Sequence, residues 1–173
     1  EAQPTSSSAA AASVVLVRTG IVDAGIAAFD RIDAKGPAGL AITANQVDEF
    51  DSTAIAGAVG GTAGVSGSAT VAVHSNTTHA RIDNDVIVNE TNTGASATQG
   101  VALAASDRTV TAGRAGQVAI GGTVGVGVGV DVQVITKDTR AWIAPRAAVA
   151  ANGNVTVDAT STAPITASVA AVS

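Results

Sequence analysis

The sequence predicts an all-β fold, a parallel β-solenoid of about three repeat units. Three observations predict it: the kind of hydrophobe used, an internal 61-residue repeat, and strict alternation within that repeat. Hydrophobic residues make up 46% of the 173, yet there is one Trp (Trp142), two Phe (Phe29, Phe50), and no Tyr, Met or Cys. Interiors are packed at crystal-like density, and aromatics usually supply much of that burial. A chain whose apolar content is nearly all Ala and Val suits a thin interior, in which sheet faces lie close along a long axis. Thr, Val and Ile favour strands, and 19 Gly add turns and close approaches.

The repeat is direct. Residues 60–82 read GGTAGVSGSATVAVHSNTTHARI and residues 121–143 read GGTVGVGVGVDVQVITKDTRAWI, without a gap. A second block recurs with them: Gly39 opens GLAITA, Gly100 opens GVALAA and Gly153 opens GNVTVDA. Residues 9–59 form a weaker first copy with SVVLV, FDRID and GLAITA, so the units run 9–59, 60–120 and 121–173. Polar, Pro-bearing residues 1–8 read as a flexible N-terminal arm. The stretch NETNTGASATQ (89–99) reads as an inserted surface loop.

Within the repeat, Val124, Val126, Val128, Val130, Val132 and Val134 alternate with Gly, Asp or Gln. Period two puts all six on one face of an extended strand. The positions one repeat earlier, Ala63, Val65, Gly67, Ala69, Val71 and Val73, stay small or apolar. These valines are expected to line a slim shared interior, leaving Gly125, Gly127 and Gly129 on a bare outer face that a second sheet could approach. Each unit is expected to supply two or three coils, the number left open by the brief stretches between Ile32 and Gly39 and between Ile143 and Gly153. Ala-rich patches at 9–12 and 147–151 are compatible with helix but short. Three units cannot close a propeller ring. The alternative is an immunoglobulin-like β-sandwich, whose strands also alternate.

The cassette GGTxGVxGxxxVxVxxxxTxAxI, followed by a Gly-opened apolar strand, resembles the β-strand repeats of large bacterial surface proteins, the leukotoxin-like and filamentous-haemagglutinin-like adhesins. The resemblance implies an exported, extended, repetitive protein at the cell surface or outside the cell, used in adhesion or a biofilm matrix. It transfers no catalytic residue.

Charge excludes several classes. Charged residues are 13% and the net charge is −5, whereas a nucleic-acid surface needs a clustered basic face. The few Lys and Arg are scattered, and no apolar run reaches the ~18 residues of a spanning helix, so neither nucleic-acid binding nor membrane insertion is expected. Without Cys there is no disulfide or thiolate chemistry. The chain does not begin with Met, as expected of a processed chain or a piece of a longer one.

No catalytic, cofactor-binding or metal-binding residues are assigned, and no enzymatic activity is expected. His74 and His79, in HSNTTH, read as solvated turn residues, because the next repeat carries Ile135 and Arg140 instead. Asp83-Asn84-Asp85 has oxygen ligands in a turn but lacks the rest of a calcium loop. Asp48, Glu49 and Asp51 read as three acids crowded in one water-facing loop. Sugar hydrolysis would instead need two carboxylates at a defined separation. Asn76, Asn89 and Asn154 each open an Asn-x-Thr glycosylation pattern.

A solenoid has open ends that template further strands, and natural repeats cap them with atypical polar units. The C-terminal VTVDATSTAPITASVAAVS shows no such cap and stays strand-like to Val172. The expected partner is another copy, stacked head to tail into a filament. A glycan or host protein on a monomeric solenoid is the alternative.

Overall fold

A computed structural model describes residues 6–173. Every regular element among them is a β-strand, and every pairing is parallel. The first rung holds β1 (Ser7–Ile26), β2 (Arg31–Ile32) and β3 (Leu40–Gly60). The second holds β4 (Ala63–Ile82), β5 (Ile87–Val88) and β6 (Val101–Gly121). The third holds β7 (Val124–Ile143), β8 (Ala148–Val149), β9 (Val155–Thr162) and β10 (Ile165–Val172). Equivalent strands stack: β1-β4-β7 form one long sheet, β2-β5-β8 a narrow one, and β3-β6 the other long one, with β9 and β10 both on β6. The chain is a parallel β-solenoid of three rungs.

Each repeat is one coil, not two or three. At ~3.3 Å per residue, a 20-residue strand runs about 66 Å, so one pass out and back uses the whole repeat. The register keeps the 61-residue step of the sequence, with Ala63 beside Val124 and Leu40 beside Val101. One detail shifts: Val155 lies beside Val101, so Asn154 rather than Gly153 continues the row of Gly39 and Gly100. Strand β1 starts at Ser7, inside the arm expected to be flexible, and residues 1–5 of that arm lie outside the described residues. The Ala-rich patches are not helical: residues 9–12 belong to β1, and 147–151 contain β8.

The valines point the opposite way from the expectation. In β4, Gly64, Ser66, Ser68, Thr70 and Ala72 face inward, while Val65, Val71 and Val73 face out. In β7 the six valines are 40–59% exposed. The reason is the distance between the long sheets. A Cβ on Gly64 would overlap the Ile120 carbonyl, one on Gly125 the Ala119 carbonyl, and one on Gly127 or Gly129 the Gln117 side chain. Facing sheets ordinarily stand ~10 Å apart. Here Gly, Ala and Ser line both inner faces, the sheets come closer, and a valine would not fit. The inward glycines therefore offer no bare outer face for a second sheet.

Larger aliphatics are buried only where the narrow sheet props the long ones apart. Ile26, Ile42, Ile82, Val86, Val88, Val101 and Leu103 cluster there. Full burial of such a side chain contributes ~1.5–3 kcal/mol, so most of the hydrophobic stabilisation lies at this wide end.

The corners repeat from rung to rung. Phe29, Asp85 and Arg146 occupy one position in successive rungs, each with a left-handed backbone (φ 69°, 60° and 63°). Asp85 accepts two hydrogen bonds from Arg146, both 2.7 Å, and clasps the second rung to the third. At the thin end the turns Gly60–Gly61–Thr62 and Gly121–Gly122–Thr123 stack, with Thr123 N donating to Thr62 O at 3.0 Å. A side chain at Gly60 or Gly121 would run into the carbonyl of Ala63 or Val124, so the Gly-Gly of the repeat is a requirement for space.

Candidate functional site

Between the thin end and the aliphatic end, the interior holds a polar belt. Asp48 of β3 is 2% exposed and ion-pairs with Arg18 of β1 at 2.9 Å. Asn76 of β4 donates to Asp48 at 2.9 Å and to the Thr109 hydroxyl at 2.8 Å. Thr109 in turn donates to Asp107 at 3.1 Å. Asp107 of β6 is fully buried and pairs with Lys137 of β7 at 3.0 Å. Gln46 and Thr78 extend the network. The belt runs through all three rungs and gives each buried acid a cation. A buried charge without a partner is costly, so the two ion pairs favour the rung register in which they meet.

The residues singled out in the sequence fall in different places from those expected. Asp48, Glu49 and Asp51 are not in a loop but mid-strand in β3, with Asp48 buried and the other two facing out. Asp51 pairs with Arg114 at 2.5 Å on the outer face. His74 and His79 are strand residues, not turn residues. His79 faces out beside Asp138 (3.3 Å) and Trp142 (ring centroids 5.1 Å). Asp83 and Asp85 do sit in a turn, but Arg81 and Arg146 hold their carboxylates. Among the described residues no three His, Cys, Asp or Glu side chains converge on a metal position.

Two of the three Asn-x-Thr patterns are closed in the folded chain. Asn76 is 2% exposed inside the belt, and Asn89 is 1% exposed. Asn89 accepts from Ala34 N at 2.6 Å and donates to Ala150 O at 3.0 Å, linking the first rung to the third. It opens the 89–99 stretch, which lies between β5 and β6 as expected but buries Asn89 and Gln99 at its ends. Asn154 is exposed.

His74 lies buried within the belt, not in the solvated turn expected of it, while Arg18, Asp107 and Lys137 are belt members that sequence reasoning missed. The His74 ring is fully buried, stacks on Phe50 at 3.9 Å, and neither ring nitrogen has a hydrogen-bond partner. Burial holds its pKa below the ordinary value, with Asp48 pulling it up and Arg18 pushing it down. The unfolded chain takes up that proton near pH 6.5, and the folded chain takes it up only at lower pH. The stability linked to His74 is therefore complete above the ordinary value and is lost as pH falls below it. His74→Phe is expected to flatten the loss of stability between about pH 7 and about pH 5. Parallel denaturation curves for the two proteins across that window would contradict this account.

What remains open is the outside. Strands β1 and β3 at one end, and β7, β9 and β10 at the other, each pair on one side only. Between β7 and β9 an open trough of about 530 Å³ is lined by Thr139, Ala141 and Ala159, with Arg140 and Trp142 at its edge. The valine faces are exposed as well. Among the described residues these surfaces belong to a parallel β-solenoid whose features repeat along one axis. No family model matches the chain, and neither a curated protein nor a solved structure matches it.

Proposed function

We propose that this chain is a structural element: a stretch of β-solenoid in an extracellular filament, cell-surface adhesin or matrix, lengthened by end-to-end stacking of copies. The observation that supports it is the match in register between the edge rungs of the described residues. Continuing the register by one rung sets Val22, Ala24 and Ala44 of the next copy over Thr139, Ala141 and Ala159, the residues that line the trough. Small apolar side chains would fill it, and the free strand edges would find backbone partners. Arg18 points inward from the edge strand β1, and stacking would bury it with its charge already met by Asp48 at 2.9 Å. The resemblance of the repeat to adhesin β-strand repeats agrees with an exported location.

The purified chain at micromolar concentration is expected to form filaments visible by electron microscopy, with a ~4.8 Å repeat along the axis in fibre diffraction. Sedimentation as a strict monomer at those concentrations overturns stacking. Saturable glycan binding by that monomer would favour a binding module instead, with Trp142 beside Arg140 as the aromatic platform.

A further inference from the structure

We propose that the outer face of the β1-β4-β7 sheet binds a second copy of the same chain, across a two-fold axis lying along β4. This concerns the side of the solenoid and is independent of stacking at its ends. Such an axis sets the first rung of one copy against the third rung of the other, position for position along the strands.

The register makes that pairing self-complementary. The face carries a hollow of about 390 Å³ lined by Ala11, Ser13, Gly67 and Ala69, next to Val128 and Val130 of the third rung. Across the axis, Ala11 meets the second copy's Val128 and Ser13 meets its Val130, so tall side chains enter the hollow from both sides. Towards the other end of the strands Asp23 meets Arg140, acid against base, where each already has a partner in its own chain, Asp23 in Arg81 at 2.9 Å and Arg140 in Asp138 at 2.6 Å. Arg81 lies on the axis opposite its own copy, its charge met within its own chain by Asp23 at 2.9 Å and by Asp83.

Size favours the same occupant. Three strands about 66 Å long and ~4.8 Å apart present roughly 900 Å² per copy, so two copies bury about 1,800 Å², within the range of stable pairs. An uncharged valine field selects no charged partner. The apolar part of the face is the half formed by Ala9 to Val17, Val65 to Val73 and Val124 to Val134, and the other half carries Asp23, His79, Arg81, Asp138 and Arg140.

The chain has no cysteine, so thiols can be placed one at a time. Val71 lies on the axis, and Val71→Cys is expected to give a covalent dimer with a short bismaleimide. Thr53→Cys, on the outer face of the other long sheet, is expected to give far less. Val130→Asp should raise the dimer dissociation constant measured by sedimentation at least about tenfold, because it buries an unpaired charge. Failure of Val71→Cys to cross-link, equal product from Thr53→Cys, or an unchanged dissociation constant in Val130→Asp overturns the proposal. Cross-linked Val71→Cys dimers without filaments would support side pairing while end stacking fails. Single-width filaments without that product overturn side pairing alone.

Discussion

Gly64→Val is expected to destabilise the protein by at least ~3 kcal/mol, and Gly57→Val to leave it unchanged or slightly more stable. The two glycines sit in long strands of the same solenoid and differ in the direction they face. A Cβ on Gly64 would overlap the Ile120 carbonyl and come within 3.1 Å of the Ala58 carbonyl, both backbone atoms of the facing sheet. Backbone cannot swing aside as a side chain can, so the long sheets must part or the strand must shift. Overpacking of this kind typically costs ~1–3 kcal/mol, and more when no side chain can give way. Gly57 faces solvent, and its Cβ would meet only the Val118 carbonyl, at 4.0 Å. There valine restricts the unfolded chain and improves strand propensity, a scale that spans ~1 kcal/mol. Urea unfolding midpoints of the two variants would separate the cases. Equal midpoints would mean the thin end has room for valines, and the interior would have to be redrawn with them inside.

Lys137→Met is expected to cost ~3–5 kcal/mol, the range for removing one partner of a buried ion pair. The Lys137 side chain is 11% exposed and its partner Asp107 is fully buried, with Nζ 3.0 Å from the carboxylate. The ammonium also donates to the Asp107 carbonyl at 3.2 Å and to the Thr162 carbonyl at 2.6 Å, so it ties the third rung to the second at the middle of both sheets. Methionine keeps the volume and removes the charge, leaving a carboxylate in the interior with only Thr109 donating to it. Adding Asp107→Leu should recover much of the loss, because a buried pair replaced by apolar groups of similar size is often nearly neutral. A double-mutant cycle in thermal or chemical denaturation tests this directly. Additive effects of the two substitutions would show that the pair is not coupled and does not favour the register.

The repeat was legible because it is a statement about spacing, and spacing survives folding. Gly60 and Gly121, Leu40 and Val101, Val65 and Val126 are rung neighbours at the interval read from the chain. The orientation of the strands was not legible. Alternation shows that Val124 to Val134 share a face, but it carries no sign for inside or outside. The usual rule, apolar inward, fails where glycine and serine allow two sheets to meet closely. The Gly-Gly-Thr block and the Gly between the valines were the available signal: residues without side chains mark close approach as readily as a bare surface. The polar belt was hidden for a related reason. Asp48, His74, Asn76 and Asp107 look like solvated residues in a low-charge chain, and only the pairing of sheets brings cations and amides to them.

By itself the sequence determined an all-strand chain, its three-fold repetition and the interval at which rungs pair, because each follows from local periodicity and composition. Only the tertiary structure decided that a whole repeat makes one coil, that the valines face out, and that acids and bases meet inside. Those outcomes depend on the gap between two sheets joined through corners far apart along the chain. That gap is set by the side chains of both sheets together, so neither strand's sequence contains it alone.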